Sequence, residues 1–256
     1  MELFRNFIKA DKDSLVKLKK SEFNIRRPMI LEDGFEKLGH LNTLQFKQTI
    51  RIKFISAQGY EEAGIDQNGV FKEFLEELCM AAFDPGLNLF KTTTEGYCSP
   101  SPTSYIHENY LALFEFIGKI LGKALYEAIV IDFPFARFFY AKLLSRFNTL
   151  DDLPSLDPQL YKNLTFLKHY EGNCEDLGLT FTVDQDVFGQ IQTIDIIPAG
   201  SRINVTNENR YQYIYLVADY ILNKQCKEQN RAFIKGFKSI ISEKWLAMFS
   251  PAELQK

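Results

Sequence analysis

The sequence predicts a mostly helical α+β fold, and three observations carry that reading. Apolar residues recur at helical spacing, most clearly Leu113, Phe114, Ile117, Ile120, Leu121 and Leu125 within residues 110–126. Ile50–Ile55 alternates apolar with basic residues, as a half-buried strand does, and feeds a turn and a further helix. Leu179–Val183 and parts of 190–197 alternate again, as strands of a small sheet would. With 256 residues, 46% of them hydrophobic and 25% charged, the chain can bury a large core as one domain or two subdomains. Its 23 Phe and 12 Tyr point to aromatic cores or apolar docking surfaces.

Taken in order, residues 2–20 read as a helix, with Leu3, Phe4, Phe7 and Ile8 on one face and Leu15 and Leu18 continuing it. Residues 21–31 are expected to be a linker around Pro28, and Gly34–Leu44 a short amphipathic helix. After the strand, Gly64 and Gly69 bracket Asp66 and Asn68 in a tight turn. Val70, Phe71, Phe74, Leu75 and Leu78 then form one helix face. Leu87–Lys91 reads as a short strand and 92–108, with its Ser-Pro-Ser-Pro, as a long loop. Asn109 is placed to cap the helix 110–126.

Inside that helix Gly118 and Gly122 each cost roughly 1 kcal/mol of propensity. Close packing against another helix accounts for them; a phosphate loop does not, since its residue order and preceding strand are missing. Phe138, Phe139, Leu143, Leu144 and Phe147 predict another buried helix, and Thr149–Pro154 an acidic connector. Asp157 and Pro158 start a helix carrying Leu160, Leu164 and Leu167, with Tyr170 beyond and Tyr161 and Phe166 nearby. Pro198–Gly200 is a turn, and Thr206–Asn209 offers caps to the helix Tyr211–Leu222. Phe233, Phe237, Ile240 and Ile241 belong to a further helix; Trp245, Leu246, Met248 and Phe249 make an apolar closing segment. Ser250–Glu253 has the form of a capping box, and so short a helix has no reason to be stable alone, so the sequence is expected to continue past Lys256.

Little local chemistry presents itself. A net charge of −3 without a long basic run argues against nucleic acid or an anionic membrane as partner. No apolar run approaches the roughly 18 residues of a membrane span. Cys79, Cys98, Cys174 and Cys226 are far apart, and His40, His107 and His169 are scattered, so neither a zinc site nor a disulfide scaffold is expected and a reducing compartment fits. Cys79 is expected to be buried and Cys98, in its loop, to be the exposed one; none has a neighbour suited to activating a thiolate. Asp184, Asp186, Gly189 and Asp195 stand at calcium-loop spacing, but Val187 and Phe188 occupy places where a ligand is needed, so a strand-connecting turn is expected. Glu61, Glu62 and Asp66 invite an acid/base or metal reading; the expectation is that the glutamates face solvent and Asp66 orders the turn. No metal, cofactor or catalytic residue is assigned. The face Leu160, Leu164, Leu167 with Tyr170 reads either as core or as a partner-binding face.

Five strings in order point further: Gly64–Phe74, Phe116–Glu127, Leu177–Phe181, Val205–Arg210 and Phe233–Phe237. Together they resemble the N-terminal lobe of a HECT-type ubiquitin ligase domain across roughly residues 30–254. The run Asp66–Glu77, with Asn88–Thr93 and Pro100–Tyr110, resembles the UBE3B-like subgroup of that family. The resemblance implies a large, mostly helical subdomain and a small α/β subdomain that binds an E2 ubiquitin-conjugating enzyme. On this chain that would mean an N-terminal helix and linker at 1–30, the large subdomain at 31–148 and 198–256, and the small one at 149–197. It implies an E2 groove from Leu160, Leu164, Leu167, Tyr170, Leu177, Leu179 and Tyr213, with Gly64, Asp66 and Gly69 as a structural turn. On that reading Leu164→Asp would weaken E2 binding without unfolding the chain.

The ubiquitin-accepting cysteine of such ligases stands in a second lobe that would follow Lys256, so the chain alone is expected to form no thioester. Implied partners are E2, ubiquitin and, through other regions, a substrate protein; the implied location is cytoplasmic, nuclear or organelle-peripheral. The competing reading is a noncatalytic interaction module of the same fold. A third, a small-molecule enzyme, would need a polar pocket around Asp66 and Glu61.

Overall fold

In the computed structural model of the chain, residues 2–15, 21–62, 67–93, 95–131 and 135–254 are described. Helix α1, Glu2–Ser14, buries Phe4 and Ile8 but leaves Leu3 and Phe7 exposed, so half of the expected face turns outward. Its expected extension through Leu18 lies outside the described residues.

Residues 21–31 are not a linker. Strand β1, Ser21–Arg26, runs parallel to β2, Ile50–Ile55, in register from Ser21 opposite Ile50 to Arg26 opposite Ile55. Phe23 and Ile25 alternate with polar residues, and Ile25 is fully buried; that period of two is the overlooked signal. Pro28 sits in a 3-10 turn, Arg27–Met29, that leads directly into α2, Ile30–Leu38. The expected helix Gly34–Leu44 is therefore two. After α2 stops, Asn42 and Gln45 form a reciprocal capping box (2.9 and 3.0 Å) and start α3, Thr43–Lys47. Buried Asp33 accepts from the Arg26 backbone N–H (2.8 Å) and its forked guanidinium, which holds the carboxyl well below the usual carboxylate range.

Helix α4, Gln67–Ala82, inserts Phe71, Phe74, Leu75, Leu78 and Cys79 into the core. Because it begins at Gln67, Gly69 lies exposed in its first turn and does not close the turn before it; Gly64 and Asp66 lie outside the described residues. Arg27 ties the layer together. Its guanidinium covers the Phe54 ring at 3.9 Å and bonds Glu62 (2.6 Å), Glu73 (3.0 Å) and Glu77. Glu61 faces solvent as expected and pairs with Lys53 at 3.1 Å, whereas Glu62 is half-buried in its ion pair with Arg27.

The expected loop 92–108 contains structure. Strand β3, Phe90–Thr92, pairs antiparallel with β4, Cys98–Pro100. Cys98 is buried, against expectation, as are Ser99, Ser101 and Ser104. Small hydroxyls can be buried when they bond one another: Ser101 Oγ donates to Asn88 Oδ1 (2.9 Å), Asn88 Nδ2 to Thr103 Oγ1 (2.9 Å), and Gln229 Nε2 to Ser104 Oγ (3.2 Å).

Helix α5, Tyr110–Tyr126, has the expected bounds, although the Asn109 side chain makes no capping bond. Helix α6, Arg137–Leu143, buries Phe138, Phe139 and Leu143; Phe147 lies past its end and is exposed, a correction to the predicted buried helix. A 3-10 segment, Leu150–Ser155, precedes α7, Pro158–His169. Next comes the hairpin β5, Thr182–Val187, and β6, Gln190–Asp195. Phe188 and Gly189 turn it with φ of 53° and 82°, and Asp186 accepts from the Gly189 N–H at 2.7 Å. Asp184 accepts from Thr193 and Asp195 from the Ser201 N–H; the expected strand at 179–183 is displaced, since β5 carries Asp184 and Asp186 and only Phe188–Gly189 forms the connecting turn.

Helix α8, Arg210–Asp219, runs on into a π-helical turn, Tyr220–Lys224, and α9 spans Lys227–Ile240. Helices α5 and α9 pack along their length. A Cβ on Gly118 would stand 2.1 Å from the Phe233 carbonyl oxygen, and one on Gly236 1.9 Å from that of Glu115. The backbones touch, which is the close packing that the paired glycines predicted.

Helices α10, Glu243–Leu246, and α11, Pro251–Leu254, close the chain. Leu246 and Phe249 are buried, Met248 is exposed, and the Phe249 ring lies 5.1 Å from Phe4 of α1. The Ser250–Glu253 capping box forms: the Ser250 N–H donates to Glu253 at 2.9 Å and the Glu253 N–H to Ser250 Oγ at 3.3 Å. Among the described residues no helix is long and apolar enough to cross a membrane.

Candidate partner-docking surface

Helix α7 starts where the sequence places it. The Asp157 carboxylate accepts from the Leu160 N–H at 2.8 Å, and Pro158 takes the first helical position, where no N–H is needed. Leucines 160, 164 and 167 share one stripe, but they are not equivalent. Leu164 and Leu167 are each 3% exposed and belong to the hydrophobic core; Leu160 and Tyr170 are half-buried at its edge. A carboxylate at position 164 would therefore be buried without a partner, so the expectation that Leu164→Asp leaves the fold intact does not stand.

The loop after α7 is held by Arg210 of α8 and by Asn207 just before it. Arg210 Nη1 donates to the Tyr170 carbonyl oxygen at 2.5 Å, and the Cys174 N–H donates to Asn207 Oδ1 at 2.9 Å. A short 3-10 turn, Cys174–Leu177, ends at Gly178 with φ of 64°. Leu177 is exposed there and Leu179 half-buried, its carbonyl accepting from the Val205 N–H at 2.8 Å. Tyr213 is buried, edge-on to Phe181 with ring centroids 5.5 Å apart. The predicted set thus divides into Leu164, Leu167 and Tyr213 beneath, and Leu160, Tyr170, Leu177 and Leu179 at or near the surface.

Two exposed aromatics join the surface group. Phe166 is 62% exposed, with its ring 5.5 Å from that of Tyr170. Tyr211, also exposed, lies under the Arg210 guanidinium at 5.2 Å. Phe166, Tyr170, Arg210 and Tyr211 form a continuous chain linking α7 to α8. The available signal was a large aromatic falling off the buried stripe: Phe166 stands between Leu164 and Leu167. Exposed aromatics beside half-buried leucines are suited to accepting apolar side chains of a partner.

The described residues outside this surface supply no evident nucleophile. Burial pushes the Cys79 thiol well above its ordinary range, the Cys226 thiol up to about 11, and that of Cys98 upward as well. Cys174 is fully buried. His107 bonds the Leu87 carbonyl at 2.6 Å and His40 that of Glu36 at 3.2 Å, structural contacts both. Among the described residues no group of three His, Cys, Asp or Glu is placed to hold a metal ion.

The HECT-domain (ubiquitin-transferase) family profile matches residues 76–256, which include this whole surface. The chain is 51% identical to human ubiquitin-protein ligase E3B over 99% of its own length and 25% of that protein's. It is 43% identical to Arabidopsis thaliana E3 ubiquitin-protein ligase UPL6 over 92% of this chain and 23% of the relative. With Saccharomyces cerevisiae E3 ubiquitin-protein ligase HUL5 it shares 37% identity, over 93% and 26%. The chain spans about a quarter of the length of these relatives.

Proposed function

From the premise that this chain belongs to the HECT-domain (ubiquitin-transferase) family and is UBE3B-like, we propose that it is the E2-docking lobe of a HECT E3 ubiquitin ligase. The observation that supports this most directly is the α7–α8 surface, where Phe166, Tyr170, Leu177 and Tyr211 face outward over a floor of Leu164, Leu167 and Tyr213. The floor fixes the two helices, and the outward groups receive apolar side chains of a ubiquitin-charged E2. A surface of this kind exchanges quickly, which suits a carrier that must leave once discharged.

In the intact ligase a cysteine thiolate outside this chain attacks the thioester carbonyl of charged E2, and the E2 thiolate leaves. A substrate lysine amine then attacks the new thioester, the thiol departs and an isopeptide bond remains. This lobe contributes position: it holds the thioester where the second lobe can reach it. The raised thiol pKa values of Cys79, Cys98 and Cys226 and the burial of Cys174 support the view that none of them accepts ubiquitin.

The test is NMR titration of the labelled chain with a panel of E2 enzymes. Shifts concentrated on Phe166, Tyr170, Leu177 and Tyr211 are expected. No binding by any member, or shifts confined to another face, would overturn the docking role and favour a noncatalytic interaction module. Incubation with charged E2 should give no ubiquitin adduct sensitive to reducing agent; such an adduct would refute the claim that the acceptor lies elsewhere.

A further inference from the structure

On a different part of the molecule, an open cleft of about 610 Å³ lies between the end of α6, the π-helical turn and α9. Its walls carry Lys142, Arg146, Lys227, Arg231 and Lys235, and no acidic residue lines it. In a chain whose net charge is −3, that is a local inversion of sign. Lys235 pairs with Glu115 at 2.7 Å, but Arg146, Lys227 and Arg231 have no carboxylate partner among the described residues.

The cleft is built as well as charged. Lys142, half-buried in the wall, donates to Asn223 Oδ1 at 2.9 Å. Asn223 is fixed in turn by donating to the Asn148 carbonyl and to Asp219 Oδ1, both at 3.0 Å. The π-helical turn Tyr220–Lys224 presents Asn223 there, and such turns are frequent at functional sites. Asn230, 6% exposed, also lines the cleft, and its Oδ1 is buried without a hydrogen-bond partner. Phe147, 63% exposed beside these cations, gives the cleft an apolar edge.

We propose that this cleft binds a short acidic segment of polypeptide. Carboxylates would meet Arg146, Lys227 and Arg231, and an apolar side chain would rest on Phe147. A bare anion makes no use of Phe147, so unpartnered cations beside an exposed aromatic favour a peptide with acidic and apolar side chains. Burial lowers the Lys142 pKa to about 8, and an anion beside it favours the charged form.

The experiment is fluorescence anisotropy with the whole chain and a labelled seven-residue peptide of aspartate and glutamate around one phenylalanine. Binding that weakens with added salt is expected, with about a tenfold loss in the double variant Arg146→Glu and Arg231→Glu and a smaller loss in Phe147→Ala. Both variants lie on exposed positions, and their far-UV circular dichroism should match the parent. Equal binding of a peptide carrying glutamine and asparagine instead, or an unchanged affinity in the double variant, would overturn the proposal. So would full displacement by millimolar inorganic phosphate, or tighter binding of a single-stranded oligonucleotide of the same charge. Failure here leaves the α7–α8 docking surface untouched, since no residue is shared.

Discussion

The α5–α9 contact and the α7–α8 surface are both pairs of neighbouring helices, and they use side chains in opposite ways. Helices α5 and α9 dispense with side chains at Gly118 and Gly236 so that backbone meets backbone, with no space for a Cβ. Helices α7 and α8 are joined by Leu164, Leu167 and Tyr213 beneath and the Arg210 bond above, leaving Phe166 and Tyr211 outward. The first arrangement serves rigidity and presents nothing to a partner. The second keeps apolar area uncovered, as a surface that a partner could cover would.

That contrast can be broken at three points, and a fourth variant gives a reference outside it. Leu164→Asp should be the most damaging, about 4 kcal/mol by urea denaturation, because it removes a buried leucine and buries a carboxyl group. A variant that unfolds like the parent yet loses E2 would return Leu164 to the surface group. Gly236→Ala should cost about 3 kcal/mol despite a gain in helix propensity, since the new methyl collides with the Glu115 carbonyl. A neutral result would mean that α9 can withdraw and the contact is not rigid.

Asp33→Asn probes the β1–α2 layer, outside both helix pairs, by pH. The folded-state pKa of Asp33 is lowered by the Arg26 bonds, so its contribution is present above the ordinary carboxylate pKa and is lost as pH falls through the depressed one. The variant should be about 1.5 kcal/mol less stable at neutral pH, with the gap closing in acid. A gap that stays constant with pH would count against the ion pair. The smallest effect on stability is expected at Phe166→Ala, under about 0.5 kcal/mol. In the same variant E2 affinity should fall about tenfold by calorimetric titration; unchanged affinity would remove Phe166 from the surface.

Legibility followed the range of the interaction. The bounds of α5, the Asp157 cap and the Ser250–Glu253 box depend on neighbours a few residues apart and were readable; the hairpin was foreseen, with its first strand about three residues early. Strand β1 was missed because six residues with two apolar positions form a strand only when β2, about thirty residues on, supplies its hydrogen bonds. The Ser/Pro-rich segment was read as a loop because polarity suggests exposure. Asn88 bonds the Ser101 and Thr103 hydroxyls and Gln229, more than a hundred residues away, that of Ser104, while the Ser99 hydroxyl is buried without a partner.

The docking stripe shows the same division. Periodicity alone placed Leu160, Leu164, Leu167 and Tyr170 on one face of one helix, and the string matches placed that helix in its family. Which of them would be covered depended on α8 and on the loop returning through Leu179, and so did the exposure of Phe166. By itself the sequence determined most of the long helices, the Asp157 cap, the glycine contact and the family, since local hydrogen bonds and side-chain period are properties of the chain. Only the tertiary structure decided which apolar residues became floor and which surface, and gathered the cleft cations from α6, its following loop and α9. Burial and summed charge belong to segments meeting in space, and no single segment encodes them.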